Sequence, residues 1–546
     1  MPQGNSGLTG AGAVAQAMRA AGVARVYGVP GGGSSLDLIA ALKAEGISFI
    51  LARQETAAVI MAGAEAEITH QPSAALVTRG PGVGNAANGM AVASLERNAV
   101  MLVADGFPPG ERAYANHQYF DHAAMLRPVT KAAAQALEAE SACAAITATL
   151  LDTAMAAPRG PVLLELSGRA AKAPAPALPV THNAAPTTAP GASALAAARA
   201  ILAKAQRPAL VAGLEATTPE ATAALRALAE ALGCPTLVTY KAKGVLPDAH
   251  PLFGGVFTAS HAEAALLHQA DAIVLVGADP VEFFAQPWRY AAPVIDLGTA
   301  PRPLHYRTPD VALYGPLAPA LAALAAGAAR STWTAAEIGA ARDAWAGSLR
   351  NRAGGNAGLS PTEVVEQAQA ACRRAARHPR ISVDAGAHMF PCTSFWQAEH
   401  PGDLLISNGL ASMGYALPAG IAAALVDPSR GALAFTGDGG LLMCLGELAT
   451  AAALGVKLTV VVFNDATLSL IDIKKEQREM PEGSLGWPMV DFVSVMQGCG
   501  GLGLRARTAE EYAAALDQAL AHEGPALVDV LVDPGSYPAQ IKALRG

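Results

Sequence analysis

The sequence predicts an α/β protein built from three doubly wound, parallel-sheet domains. Three observations lead there. Short apolar, β-branched runs alternate with Ala/Leu-rich helical stretches, the pattern of parallel sheets covered by helices. The 546 residues exceed what one core organises and at about 150 per domain imply three or four. A Pro/Ala/Thr-rich stretch and a Gly-rich one divide the chain into blocks of similar size.

The first block, residues 1–171, carries strands at Val26–Val29, Phe49–Ala52, Ala74–Thr78 and Val100–Val103, and closes on the strand-like Pro161–Leu166. Residues 172–191 form a linker whose Pro-Ala-Thr composition favours a semi-extended chain. The second block, 192–330, has strands at Ala209–Ala212, Pro235–Thr239, Ala272–Val276 and Val294–Leu297. A linker over 331–359 holds a helical stretch, Thr334–Asn351, and then the Gly-rich Ala353–Ser360. The third block, 360–546, opens on Ser360-Pro361-Thr362-Glu363, an N-cap with Pro at the first helical position. Its strands fall at Arg380–Val383, Leu404–Ile406, Ala432–Phe435, Leu458–Phe463 and Ala526–Val532, with one helix expected over Leu441–Leu454. The blocks share a pattern but no evident sequence repeat.

Composition narrows the function. Apolar residues make up 52% and charged residues 15%, which excludes extensive disorder. Lys plus Arg is 38 against 45 Asp plus Glu, with no basic block, so no nucleic-acid partner is expected. The mean hydropathy of +0.29 comes largely from alanine. The longest uncharged stretch, Val311–Ala329, is interrupted by Pro316 and Pro319 and does not read as a membrane span. The N-terminal residues lack a basic and an apolar region, so no signal peptide is read there and a cytoplasmic protein is expected. The six cysteines contain no C-x-x-C pair and read as reduced, packed thiols.

The strongest chemical signal lies in the third block. The strand Gly431–Thr436 runs into Gly437-Asp438-Gly439-Gly440, a turn whose backbone N–H groups can approach a phosphate. After Gly439 come 24 residues and then Asn464, which ends the next strand. One helix and one strand fill that spacing, so Asn464 returns to the same sheet edge as Asp438. A carboxylate, an amide oxygen, a backbone carbonyl and phosphate oxygens make a hard shell suited to Mg²⁺.

Gly437-Asp438-Gly439 with Asn464 resembles the cofactor motif of thiamine-diphosphate (ThDP) enzymes, and the resemblance extends over nearly the whole chain. Arg53-Gln54-Glu55-Thr56-Ala57-Ala58 is similar to the family's catalytic-glutamate segment. Val77–Asn85 is similar to its Gly-Pro-Gly loop, and Asn408–Ala419 to the segment beneath the thiazolium ring. Within the family the resemblance is nearest to acetolactate synthases. Val29-Pro30-Gly31-Gly32-Gly33 resembles their glycine loop, Gln118 and Lys131 their paired glutamine and lysine, and Lys241–Pro251 a segment of their central domain.

The resemblance implies pyrimidine-binding, central and diphosphate-binding domains in that order. It implies Glu55 as the residue that hydrogen-bonds the aminopyrimidine, and Met413 as the wedge beneath the cofactor. His117 and Gln118 join Glu55 as catalytic candidates. Cofactor contacts are implied at Gly32, Gly386, His388, Met413, Gly437, Asp438, Gly439, Gly440, Asn464, Ala466 and Leu468, with Mg²⁺ on Asp438, Asn464 and Ala466. Substrate contacts are implied at Gly33, Arg79, Lys131, Leu470 and Lys474.

Some positions depart from the synthase pattern. His117 replaces a Phe, Arg79 a Ser and Asp465 an Asn, and Lys474 stands where a Trp is usual. Gly277-Ala278-Asp279-Pro280-Val281-Glu282 resembles the FAD-free members, so no FAD is expected. The expected activity is decarboxylation of a 2-oxo acid with ligation to a second carbonyl, by a homodimer or homotetramer. The alternatives are a non-ligating decarboxylase, a 2-hydroxyketone lyase, or a silent cofactor-binding paralogue.

Overall fold

In the computed structural model the described residues are all except 1–6, 115, 177–189, 260–262, 285, 303–304, 351–357, 482–484 and 546. They form three six-stranded sheets in which every pairing is parallel. Across the first sheet the strands are Ser48–Leu51, Arg25–Val29, Ser73–Val77, Val100–Gly106, Val162–Ser167 and Ala132–Ala136. Across the third they are Leu404–Ile406, Arg380–Val383, Ala432–Gly437, Leu458–Asn464, Ala526–Leu531 and Leu502–Ala506. In chain order both read 2-1-3-4-6-5, one topology used twice without a repeated sequence. The central sheet runs Val311–Tyr314, Val294–Gly298, Ala272–Val276, Pro208–Ala212, Thr236–Val238 and Phe253–Val256. Read from its other edge this is 3-2-1-4-5-6, the dinucleotide-binding order.

Interior strands are buried along most of their length. All seven residues of Leu458–Asn464 and of Val100–Gly106 are buried, and each branched side chain so covered contributes about 1.5–3 kcal/mol. The described chain divides into two compact units. One holds the first sheet, within Met1–Pro186, with Ile421–Val426 and Cys444–Leu454. The other holds the central and third sheets, within Thr187–Gly420, Asp427–Met443 and Gly455–Gly546.

Helix starts follow local chemistry. Ser360 caps Pro361–Arg374 in a capping box with Glu363, and Thr334 caps Ala335–Leu349 in another with Glu337. The helix expected over Leu441–Leu454 is two, Asp438–Met443 and Glu447–Leu454. The chain breaks at Gly446, which packs on the Arg53 side chain, and Glu447 then turns its carboxylate onto the N–H groups of Arg53 and Gln54 at 2.9 and 3.0 Å. The uncharged stretch from Val311 splits into a strand and the helix Leu317–Ala325. Among the described residues no helix is long and apolar enough to cross a membrane. All six cysteines are free thiols, five of them buried. Most of the Pro-rich linker, the Gly-rich break and the extreme N-terminus lie outside the described residues.

Candidate active site

In a parallel sheet ordered 2-1-3, the connections leave strands 1 and 3 in opposite directions and open a crevice at their carboxyl ends. In the third sheet that crevice lies between Arg380–Val383 and Ala432–Gly437, and the motif residues meet there. Gly437 is register partner of Phe463, so Asp438 and Asn464 are the next residues on neighbouring strands. Asp438 is 3% exposed. Its Oδ1 accepts the Gly439 N–H at 2.8 Å, and the Ala466 N–H also binds the carboxylate. Asn464 is 1% exposed, and its Nδ2 donates to Asp529 at 2.8 Å.

Two oxygens are left over, Asp438 Oδ2 and Asn464 Oδ1, both buried and without a hydrogen-bond partner. Such groups are rare because each costs free energy to bury. Burial, then the charges of Asp465 and Asp529, push the Asp438 carboxyl up to about 7. Buried negative charge with unpartnered oxygens suits a hard divalent cation. Among the described residues no three His, Cys, Asp or Glu side chains gather into a protein-only cage, so a cation here would draw further oxygens from the backbone and the ligand. Ala466, held in the left-handed region at φ 57°, gives its carbonyl to the Trp487 N–H at 3.0 Å and keeps a second lone pair. These residues fit Mg²⁺ and a diphosphate.

The rest of the crevice is shaped for close approach. A Cβ on Gly440 would lie 2.0 Å from Asp384 Oδ2, so only glycine fits there. Asp384 is fully buried and accepts from Thr436 Oγ1 at 2.9 Å and from the N–H groups of Gly414 and Tyr415 at 3.1 and 2.8 Å. It thereby pins the turn that presents Met413. The Met413 Cε, Leu468 Cδ2 and Trp487 Cη2 lie 3.4, 3.2 and 3.0 Å from where a Cβ on Gly439 would stand, an apolar wall over the loop. His388 lies beside Gly386 and Gly437 and stacks on Phe463 at 5.2 Å. Burial lowers its pKa to about 3, so the imidazole is neutral, and its Nε2 has no partner.

The first sheet repeats the arrangement with different chemistry. Its crevice lies between Arg25–Val29 and Ser73–Val77. The Gly31-Gly32-Gly33 loop is fixed by Asp105, whose Oδ1 accepts from Ser34 Oγ at 2.7 Å and Ser35 N at 2.8 Å. Glu55 is the first residue of the helix Glu55–Thr69 and is 8% exposed. Asn85 Nδ2 donates to its Oε2 at 3.1 Å.

Gly80 has φ 64°, and a Cβ there would meet the Gln118 carbonyl oxygen at 2.4 Å. Its N–H donates to His122 Nε2 at 3.0 Å, and His122 Nδ1 lies 2.6 Å from Glu165. The buried His122–Glu165 pair therefore anchors the loop carrying Arg79, and Gly80 holds Gln118, itself left-handed at φ 60°. Arg79 stacks over Phe107 at 4.2 Å; His117 and Gln118 are exposed.

Lys131 sits differently from its expected role. Its ammonium donates to the Thr153 and Ala156 carbonyls at the end of the helix Cys143–Met155, and burial, then the Arg97 charge, lower it to about 8. Leu470 and Lys474 lie on the helix Ser469–Gln477, Leu470 against the core and Lys474 exposed. Lys475 is tied to Asp472 at 2.6 Å, whereas Lys474 has no ion-pair partner among the described residues. Sequence reasoning missed Asp384, Asp529, Asn85, Glu447, His122 and Trp487. They act through contacts distant along the chain, and only Asn85, the last residue of the Val77–Asn85 loop, lay in a motif segment the sequence singled out.

The fold and these two crevices define a thiamine-dependent enzyme, and comparison with known proteins agrees. Residues 8–125, 195–324 and 384–530 match the N-terminal TPP binding, central and C-terminal TPP binding domains of thiamine pyrophosphate enzymes. The chain belongs to the thiamine pyrophosphate enzyme family. It is 29% identical to an acetolactate synthase of Bacillus subtilis over 94% of this chain and 91% of that protein. It is also 29% identical to a catabolic acetolactate synthase of Raoultella terrigena, over 97% and 96%. To the probable 2-ketoarginine decarboxylase AruI of Pseudomonas aeruginosa it is 31% identical, over 85% and 83%.

Proposed function

We propose that the protein is a ThDP- and Mg²⁺-dependent enzyme that decarboxylates a 2-oxo acid and joins the product to a second carbonyl, like the acetolactate synthases among its relatives. The observation that carries this is the pair of unpartnered oxygens, Asp438 Oδ2 and Asn464 Oδ1, at one switch point, with Glu55 buried at the other. Bound ThDP supplies the carbanion chemistry. Asp438, Asn464 and the Ala466 carbonyl would hold the cation that accompanies the diphosphate. The Gly437–Gly440 backbone and His388, with Gly386 leaving room for its ring, would line the diphosphate. Met413 and Leu468 form the apolar support, and Gly32 the open wall on the pyrimidine side. Glu55 moves the proton at the aminopyrimidine, positioned by Asn85. Arg79, His117, Gln118, Gly33, Leu470 and Lys474 are assigned to the substrate side. Lys131 is left out of it, because its ammonium is engaged by the helix carbonyls. A screen of 2-oxo acids for CO₂ release with ThDP and Mg²⁺, with products identified by mass, tests the reading; an aldehyde as the sole product of pyruvate would replace ligation by simple decarboxylation.

The second reading, a decarboxylase, is favoured by the likeness to AruI. Lys474 separates the two. An exposed ammonium recognises an anionic substrate group and repels a guanidinium. One charge-assisted contact contributes about 1.5–3 kcal/mol. Lys474→Met is therefore expected to lower kcat/KM about tenfold to a hundredfold for the anionic substrate and little for a neutral aldehyde; equal losses for both would make Lys474 structural.

FAD is not assigned to the central domain. At its switch point the Glu282 carboxylate accepts the N–H groups of Leu214 and Asp279 at 3.1 and 3.0 Å and the Thr239 hydroxyl at 2.5 Å. A side chain thus occupies the donors that a pyrophosphate would need. The purified protein is expected to show no flavin absorbance band and no activation by FAD; bound flavin would overturn the assignment.

The active form is expected to be at least a homodimer. Glu55 and Asp438 belong to separate units, and the family arrangement joins the two half-sites from different chains. Leu442 and Met443, beside the diphosphate loop, are 39% and 59% exposed, apolar surface that a second copy would cover. Sedimentation velocity with activity assayed across the boundary checks this, and an active monomer would refute it.

A further inference from the structure

Asn464 can offer a cation either its oxygen or its amide nitrogen, and only the oxygen is a ligand for a hard divalent ion. Three adjacent strands decide which end faces the crevice. Asp529 stands on the strand Ala526–Leu531 beside that of Asn464, with its side chain fully buried. Its Oδ1 receives Asn464 Nδ2 at 2.8 Å. Arg505, the direct register partner of Asp529 on the edge strand, donates Nε and Nη2 to Oδ2 at 3.0 and 2.8 Å, and Nη2 also reaches Asp491 at 3.1 Å. A carboxylate can only accept, so the amide must turn its nitrogen toward Asp529. Its oxygen is then left without a partner in the crevice.

We propose that Asp529, locked by Arg505, is a positioning residue that holds the Asn464 amide oxygen toward the cation. The proposal rests on the reading of Asp438 and Asn464 as cation ligands. The arrangement makes a specific demand on substitutions. In Asp529→Asn, Arg505 takes the carbonyl oxygen of the introduced amide. The introduced NH₂ then faces Asn464, which must answer with its oxygen and present its own NH₂ to the cation. Asp529→Ala removes the carboxylate without enforcing the wrong end, since the cation itself can then select the oxygen. The isosteric change is therefore the more damaging one, the reverse of what packing alone predicts.

The test is Mn²⁺ affinity, read by electron paramagnetic resonance on the full-length protein with saturating ThDP, alongside thermal melts of each variant. Asp529→Asn is expected to weaken Mn²⁺ binding about 10- to 100-fold, the usual cost of a lost outer-shell partner. Asp529→Ala should lose clearly less, and Arg505→Met added to Asp529→Asn should recover affinity, because the introduced amide can then turn its oxygen to Asn464. Equal losses for Asn and Ala would show that only charge matters, a larger loss for Ala that only packing does, and failure of the double variant to recover would exclude the relay; each overturns the proposal. Asp438→Ala measured in parallel separates the levels. If it weakens Mn²⁺ and Asp529→Asn does not, the relay alone falls; if it leaves Mn²⁺ binding intact, the site itself is misread.

Discussion

Asp438→Ala is expected to abolish Mg²⁺-dependent retention of ThDP. Asp438 contributes one of the two unpartnered buried oxygens at the crevice, and its charge stands beside Asp465 and Asp529. A bound cation would offset that charge and favour an anionic diphosphate. Without the carboxylate the site keeps Asn464 but loses its charged ligand, so it would hold a cation, and through it an anionic diphosphate, poorly. Loss of a direct ligand should exceed the about 10–100-fold cost of losing an outer-shell partner. Titration calorimetry of ThDP at fixed Mg²⁺, with cofactor content measured after desalting, checks it. Unchanged affinity would show that the metal site lies elsewhere. The variant should also lose no stability in the metal-free state, because burial and neighbouring carboxylates already oppose the Asp438 charge there. A metal-free melting temperature well below wild type would instead give Asp438 a structural role.

Glu55→Gln is expected to keep the fold and bind ThDP, yet lose about 10²–10⁴-fold in kcat, the usual share of general acid–base assistance. The glutamine carbonyl can still accept from Asn85, whose Nδ2 now donates to Glu55 at 3.1 Å, and Gln54 still caps the helix by accepting the Ala57 N–H. What is lost is the ionisable proton acceptor. Steady-state kinetics with ThDP affinity measured separately distinguishes the two effects. A drop under about tenfold would remove Glu55 from proton transfer, and loss of ThDP binding of the same size would make it a binding residue.

Much of this could be read from residue order. Local rules placed the helix start at Ser360, with Pro361 at its first position, because a capping hydroxyl and a proline act within one turn. Interior strands announced themselves by largely apolar runs, as in Leu458–Phe463 and Ala272–Val276. Gly437-Asp438-Gly439 and Asn464 were legible because one helix and one strand separate them, a spacing that parallel topology turns into adjacency.

Tertiary structure decided the rest. The four strands absent from the sequence reading, Ala132–Ala136, Phe253–Val256, Val311–Tyr314 and Leu502–Ala506, all lie at sheet edges. An edge strand is covered on fewer sides, so its sequence can be Ala-Ala-Ala-Gln-Ala or Leu-Gly-Leu-Arg-Ala without an apolar run. The break between Met443 and Glu447 follows from the packing of Gly446 and Glu447 on Arg53 and Gln54, nearly four hundred residues earlier in the chain. The residues that aim the site are of the same kind. Asp529 reaches Asn464 across 65 positions and Asp384 reaches Thr436 across 52. Residue type and spacing determined which groups could do the chemistry. Which oxygen of which group faces the crevice depends on hydrogen bonds between strands that only the folded sheet brings side by side.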